Sequence, residues 1–386
     1  VAATVSVIVH SARIVDGDRE TPDGWVRWDA GRVTHRGAGD SWRDHAGDTI
    51  VDARAQAGPD AVLTPGFIDL HGHGGGGHSY EEGPDAVRAA RALHLAHGTT
   101  RAVLSLATAT LGDLADRLQM IAQLTRSDSD ILGSHLEGPF LAPSHRGAHA
   151  GDLLRAPDPE TLEMLLAAGG GTVRQVTLAP ELPGGLDAVR RIVGAGVVAA
   201  VGHTAADAPL AAAAFDAGAR VLTHAFNAMS GLHHRSPGPV GAALVDDRVV
   251  LEIIADGVHL HPDVVRIAAS AAAGRFALVT DAMAAAGAAD GAYRLGALEV
   301  EVADGVAHVA GTDTIAGSTL TQDAALRVAV GAGVPLVAAV RALTETPARV
   351  LGRGDLGTLE PGRLADAVLL TADLRVARVW LAGDPI

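Results

Sequence analysis

The chain has 386 residues, 48% of them hydrophobic, with no cysteine and a formal net charge of -15. That length suits one large domain plus a small one. The lack of cysteine excludes disulfides and thiolate ligands, so any transition metal must be held by N and O atoms. The acidic balance argues against a nucleic-acid partner but leaves an anionic small molecule open, since a few local Arg and His residues can bind phosphate. No apolar run reaches membrane-span length without charges or glycines, so no membrane partner is expected. Val1–His10 lacks a basic region followed by an apolar stretch, so no secretory signal is read there and a cytoplasmic location is expected.

Residues 1–60 alternate apolar and polar in short pieces, Val5–Val9, Trp25–Trp28 and Thr49–Val51. Turn pairs such as Asp16-Gly17, Asp23-Gly24 and Ala30-Gly31 separate them, a pattern of antiparallel β structure. Ala367–Leu370 and Arg375–Leu381 read alike. Neither end is long enough for its own core, so 1–60 and 357–386 are expected to pair into one small β-sandwich domain. Between them, over 61–356, apolar strand-like runs alternate with Ala-rich helical stretches. The runs are Val62–Leu70, Thr100–Leu106, Ile131–Leu136, Val173–Leu178, Val197–Val201, Arg220–Thr223, Val249–Ile254 and Phe276–Thr280. Eight βα units predict an α/β fold, a (β/α)8 barrel of the TIM type, with catalytic groups at the C-terminal strand ends. A hairpin over Tyr293–Ala310, turning at Ala303-Asp304-Gly305, follows strand eight and is expected to cover the site.

Six candidate metal ligands fall at the ends of runs one, three, five, six and eight: His71, His73, Glu137, His203, His224 and Asp281. Imidazoles at i and i+2 on a strand share a face, so His71 and His73 can grip one cation. The chain contains no lysine. The carboxylated lysine that bridges two metals in many hydrolases with a His/His/Asp layout is therefore impossible, and Glu137 is the candidate bridge. His203 and His224 lie 21 residues apart, one short βα step. Such a set suits hydrolysis, since a bound divalent ion lowers the pKa of water and polarises a carbonyl, and Asp281 fits proton transfer. His135 is read as turned away from Glu137 and structural. Gly74–Gly77 lacks the lysine of a phosphate loop.

Pro65-Gly66-Phe67-Ile68-Asp69-Leu70-His71-Gly72-His73 resembles the first-strand motif of the amidohydrolase superfamily, and Gly357–Asp366 resembles its C-terminal return. More selective are His135–Phe140, Gly202-His203-Thr204, Thr223–Met229, Ala255–His259 and Val279–Met283, which together resemble the N-acetylglucosamine-6-phosphate deacetylase family over about Ser11–Gly383. The resemblance implies hydrolytic deacetylation of N-acetyl-D-glucosamine 6-phosphate by a metal-activated water, with Asp281 as general base and acid. It implies a core metal site of Glu137, His203 and His224. The retained His71 and His73 add capacity for a second ion, so one or two per subunit are expected, zinc first and Fe2+, Mn2+ or Co2+ as alternatives. It also implies an amino-sugar phosphate as small-molecule partner, a homodimer, and substrate contacts from His149, Asn227, Ala228, Arg235, His259, Ile315, Ala316 and Gly317. Arg235 would bind the phosphate, in its own or the neighbouring subunit's site, and His259 would polarise the acetyl carbonyl. The rival readings are an amidohydrolase for another amide, an N-acyl amino acid or a cyclic amide, and a catalytically silent scaffold.

Overall fold

The computed structural model describes residues 6–386. Val5, the first residue of the expected Val5–Val9 strand, lies outside the described residues, as does half of the Val1–His10 start. Eight parallel strands form the central sheet: β1 (Phe67–Asp69), β2 (Thr99–Leu106), β3 (Ile131–Glu137), β4 (Val173–Leu178), β5 (Val198–Val201), β6 (Val221–Leu222), β7 (Val250–Ile254) and β8 (Phe276–Val279). They neighbour one another in chain order. The ring closes just beyond the strand ends, where Gly72 bridges Ala282 in parallel and the Asp281 N–H donates to the His71 carbonyl at 2.8 Å. The result is the expected (β/α)8 barrel.

The strands are almost wholly buried, which matches near-continuous apolar runs covered by helices on the outside. The helices begin where their sequences say they should. Asp158 caps Pro159–Ala168 by accepting from the Thr161 N–H at 2.9 Å, and Asp207 caps Ala208–Asp216 through the Leu210 N–H at 3.0 Å. Proline in the first turn of both helices presets φ and lacks only an N–H that would have no partner there.

The run Val62–Leu70 proves to be two strands in two sheets. Val62–Pro65 pairs with Val7–Asp16 and Ala367–Leu370, and only Phe67–Asp69 enters the barrel. Gly66 stands at the crossing, where a side chain would overlap Thr100 and Asp366. The sheet containing Val62–Pro65 gathers strands from both chain ends, in the order Asp384–Pro385, Val376–Leu381, Ala367–Leu370, Val62–Pro65, Val7–Asp16, Arg19–Asp29, Arg32–Ala38. Trp28 and Trp380 lie four strand spacings apart in that order, roughly 19 Å in a flat sheet. Their rings nevertheless meet edge-on at 5.4 Å, so the sheet curls around its own core. A buried ion pair, Arg101 Nε to Asp366 Oδ2 at 2.6 Å, ties barrel strand β2 to this sheet's return segment. The expected hairpin after β8 is instead three antiparallel strands, Gly291–Leu295, Leu298–Ala303 and Val306–Val309.

Candidate metal centre and substrate pocket

Glu137 is the last residue of β3, and His71, His203, His224 and Asp281 each stand two residues beyond β1, β5, β6 and β8. Three of these five have left-handed backbones: φ is 47° at His203, 27° at His224 and 48° at Asp281. Non-glycine residues rarely adopt that region, and holding one there costs about 1–3 kcal/mol. The turn takes each side chain off the line of its strand and into the mouth, where all three line one cavity with His73 and Glu137.

Glu137 is the hub. Its Oε1 lies 3.2 Å from His71 Nε2, 3.1 Å from His203 Nε2 and 3.2 Å from His224 Nε2, and its Oε2 lies 3.1 Å from His73 Nε2. Asp281 Oδ1 closes the other side, 3.4 Å from His71 Nε2 and 3.3 Å from His73 Nε2. His203 and His224 meet Nε2 to Nε2 at 2.9 Å. His203 Nδ1 faces the His145 carbonyl at 2.9 Å and His71 Nδ1 faces Glu252 Oε2 at 3.2 Å. Each of those nitrogens must carry its ring's hydrogen, which leaves Nε2 lone pairs aimed at carboxylate oxygens. Lone pairs crowded on lone pairs require positive charge between them. The residues present therefore fit a divalent cation held by N and O atoms, with Glu137 able to serve two.

The electrostatics agree. Burial alone would raise Glu137, but the charge of His71 and the hydrogen bond from His149 hold it well below the usual carboxylate range. Asp281 is lowered likewise, with burial opposed by His71 and His73. Burial works against protonated His71 and His73, yet the two carboxylates push His71 well up and His73 to about 9. Those protons occupy the lone pairs that a cation would claim, and metal binding would displace them. His203, lowered to about 4 chiefly by burial, is a neutral imidazole at pH 7.

The cavity measures about 420 Å3, within the usual range for small-molecule sites. Among the expected substrate contacts, His149, Asn227, Ala228, His259, Ile315 and Gly317 line it. Ala316 does not: it is fully buried, packed with Met283 and Leu295. Arg235 sits exposed in the 231–237 loop, outside the lining of its own chain's cavity. His149 lines the cavity with its Nε2 3.5 Å from Glu137 Oε2. Its Nδ1 accepts from the Thr108 N–H at 3.3 Å, so Nε2 carries the hydrogen and donates toward Glu137. His259 Nδ1 lies 2.7 Å from Asp256 Oδ2; burial lowers its pKa, but this bond together with the charges of Asp256 and Asp281 raises the ring overall.

His135 corrects an expectation. Positions two apart share a strand face, so His135 is on the same inner face as Glu137. Its ring stands edge-on to His71 at 4.7 Å, with Nδ1 2.9 Å from Ser105 Oγ and Nε2 2.8 Å from Thr177 Oγ1. Residues missed from sequence include Asp256, behind His259, and Asp69, whose Oδ1 accepts from the His71 N–H at 3.2 Å and whose Oδ2 accepts from Thr280 Oγ1 at 2.6 Å. The most informative was Glu252, a lone carboxylate in the apolar run Val249–Ile254, whose position alone signals a buried polar partner.

A parallel barrel with a histidine–carboxylate cluster at its C-terminal mouth defines a hydrolase of the metal-binding barrel class. The chain belongs to the amidohydrolase family, whose pattern matches residues 62–386. It is 42% identical over 329 residues to an N-acetylgalactosamine-6-phosphate deacetylase of Escherichia coli O157:H7, covering 84% of this chain and 87% of the relative. It is 35% identical over 327 residues to the N-acetylglucosamine-6-phosphate deacetylase of Vibrio furnissii, covering 83% and 82%. Its fold matches a mutant N-acetyl-D-glucosamine-6-phosphate deacetylase from Mycobacterium smegmatis in complex with N-acetyl-D-glucosamine-6-phosphate, at a TM-score of 0.93 and 43% identity, over 100% of this chain and 99% of that one.

Proposed function

We propose that this chain hydrolyses N-acetyl-D-glucosamine 6-phosphate to D-glucosamine 6-phosphate and acetate. The observation that carries the reading is Glu137 ringed by four imidazole nitrogens within 3.2 Å, in a fold that aligns end to end with a deacetylase of that substrate. Glu137, His203 and His224 would hold the core cation, and His71 and His73 a second, with zinc the first choice. A cation held there lowers the pKa of water and polarises the acetyl carbonyl. Asp281 takes the proton of the attacking water and returns it to the amine as the C–N bond breaks. The Nε2–H of His259, its ring oriented by Asp256, donates to the acetyl oxygen. His149, Asn227, Ala228, Ile315 and Gly317 contact the sugar.

Arg235 requires a second copy of the chain in this reading. It lies outside its own chain's cavity, so a homodimer would bring it to the neighbour's phosphate, where a charge-assisted fork supplies specificity. Among the described residues no helix is long and apolar enough to cross a membrane, and the substrate class suits cytoplasmic sugar catabolism.

The test is acetate and free amine released from N-acetyl-D-glucosamine 6-phosphate by zinc-loaded protein, repeated after chelation. Equimolar products that vanish with the metal support the reading. No release from protein with its zinc bound would sink it. Running N-acetyl-D-galactosamine 6-phosphate alongside reads out preference at C4, since relatives of both names lie at similar identity.

A further inference from the structure

The reaction uses Glu137 and Asp281 but leaves a third buried carboxylate without a part. Glu252 sits mid-strand in β7 between Leu251 and Ile253, fully buried. An ionised carboxylate at such depth is costly unless its lone pairs are engaged. Here they are. Oε1 accepts from Gln175 Nε2 at 2.8 Å, and Oε2 faces His71 Nδ1 at 3.2 Å and the His224 backbone N–H at 3.4 Å. Its own carbonyl accepts from the Ala225 N–H at 2.8 Å. One residue therefore grips the His71 ring on one side of the cluster and the strained backbone around His224 on the other.

The two histidines of the first-strand pair differ in what fixes them. His71 has its Nδ1 hydrogen claimed by Glu252, so Nε2 presents a lone pair toward Glu137 and Asp281. His73 Nδ1 is buried with no partner among the described residues, so none of them sets its tautomer from that side. A carboxylate behind a metal-binding histidine fixes ring orientation and raises ligand basicity. We infer that Glu252 is the positioning residue that makes the His71–His73 side a cation site, by locking His71 in the tautomer and rotamer that ligate. Glu252 does not line the cavity and touches no reacting atom. The inference rests on the metal-dependent reading above. The competing role is a plain tie between β4 and β7 through Gln175.

The experiment is zinc content after dialysis, with competition titration against a chelating dye, on the parent, Glu252→Gln and Gln175→Leu. The parent should hold two zinc ions. Glu252→Gln should keep the tighter one and bind the other ~10–100-fold more weakly. Gln175→Leu removes the strand tie while leaving the His71–Glu252 contact, and should bind both as the parent does. Equal affinities in the parent and Glu252→Gln overturn the inference, and so does an equal loss in Gln175→Leu. Should Glu252→Gln fail to fold, NMR of the parent's isotope-labelled histidine nitrogens decides, with His71 assigned by difference against His71→Asn. Hydrogen on Nδ1 of His71 supports the inference, and hydrogen on Nε2 in the zinc-loaded parent overturns it. A parent that binds a single zinc overturns this inference and leaves the hydrolysis standing. A parent that releases acetate with no metal at all removes the metal reading as well.

Discussion

Asp281 Oδ1 lies 3.3 Å from His73 Nε2, so the carboxylate that follows β8 meets the imidazole that follows β1 across the closing seam of the barrel. Asp281 thereby stands where it can both face a cation and exchange a proton. Asp281→Asn keeps the size and an acceptor oxygen but cannot take up a proton. Turnover should fall about a hundredfold to ten-thousandfold, while metal content and the folded state persist. Steady-state kinetics beside zinc analysis checks this. Near-normal turnover would remove Asp281 from the mechanism.

Arg235 is exposed, with no side-chain ion pair or hydrogen bond among the described residues. Arg235→Ala should leave thermal stability within about 0.5 kcal/mol of the parent. KM for the phosphorylated sugar should rise about tenfold to a hundredfold, the worth of one charged hydrogen-bonding partner, with kcat less affected. An unchanged KM would take Arg235 out of the phosphate site.

His94 supplies a pH dependence away from the cavity. Its Nε2 donates to the Gly74 carbonyl at 2.8 Å, Nδ1 has no partner among the described residues, and burial lowers its pKa to about 4. The unfolded chain takes up this proton near pH 6.5, whereas the folded chain resists until about 4. Stability from this group is therefore complete above pH 6.5 and is lost as pH falls from there toward 4, by roughly 1–3 kcal/mol. His94→Gln keeps a donor for Gly74 without the titrating ring. Its urea midpoints should fall less steeply over that window; an unaltered slope would contradict the account.

The barrel and the identity of the cluster were legible because both rest on periodic signals. Buried parallel strands are apolar throughout, and a His, Glu or Asp just past such a run stands out. What lay hidden was local geometry. Nothing in the letters shows that His203, His224 and Asp281 turn left-handed, since that depends on the loops that hold them. The break in Val62–Leu70 had a sequence mark in Pro65-Gly66, but only the approach of Thr100 and Asp366 explains it. His135 was misassigned through strand parity, a rule the sequence does supply. Glu252 was visible as a charge in an apolar run, although its partners, Gln175 and His71, lie 77 and 181 residues away. Ala316 was placed by resemblance to a short motif, which cannot say which way a loop faces.

The most direct measurement compares kcat/KM for N-acetyl-D-glucosamine 6-phosphate and unphosphorylated N-acetyl-D-glucosamine on zinc-loaded protein. Acetate is expected from both, with the phosphorylated sugar preferred at least ~10-fold, the lower bound set by one charged hydrogen bond. Equal efficiencies would contradict the phosphate site, and the absence of acetate from either sugar, with zinc shown to be bound, would contradict the deacetylase reading itself.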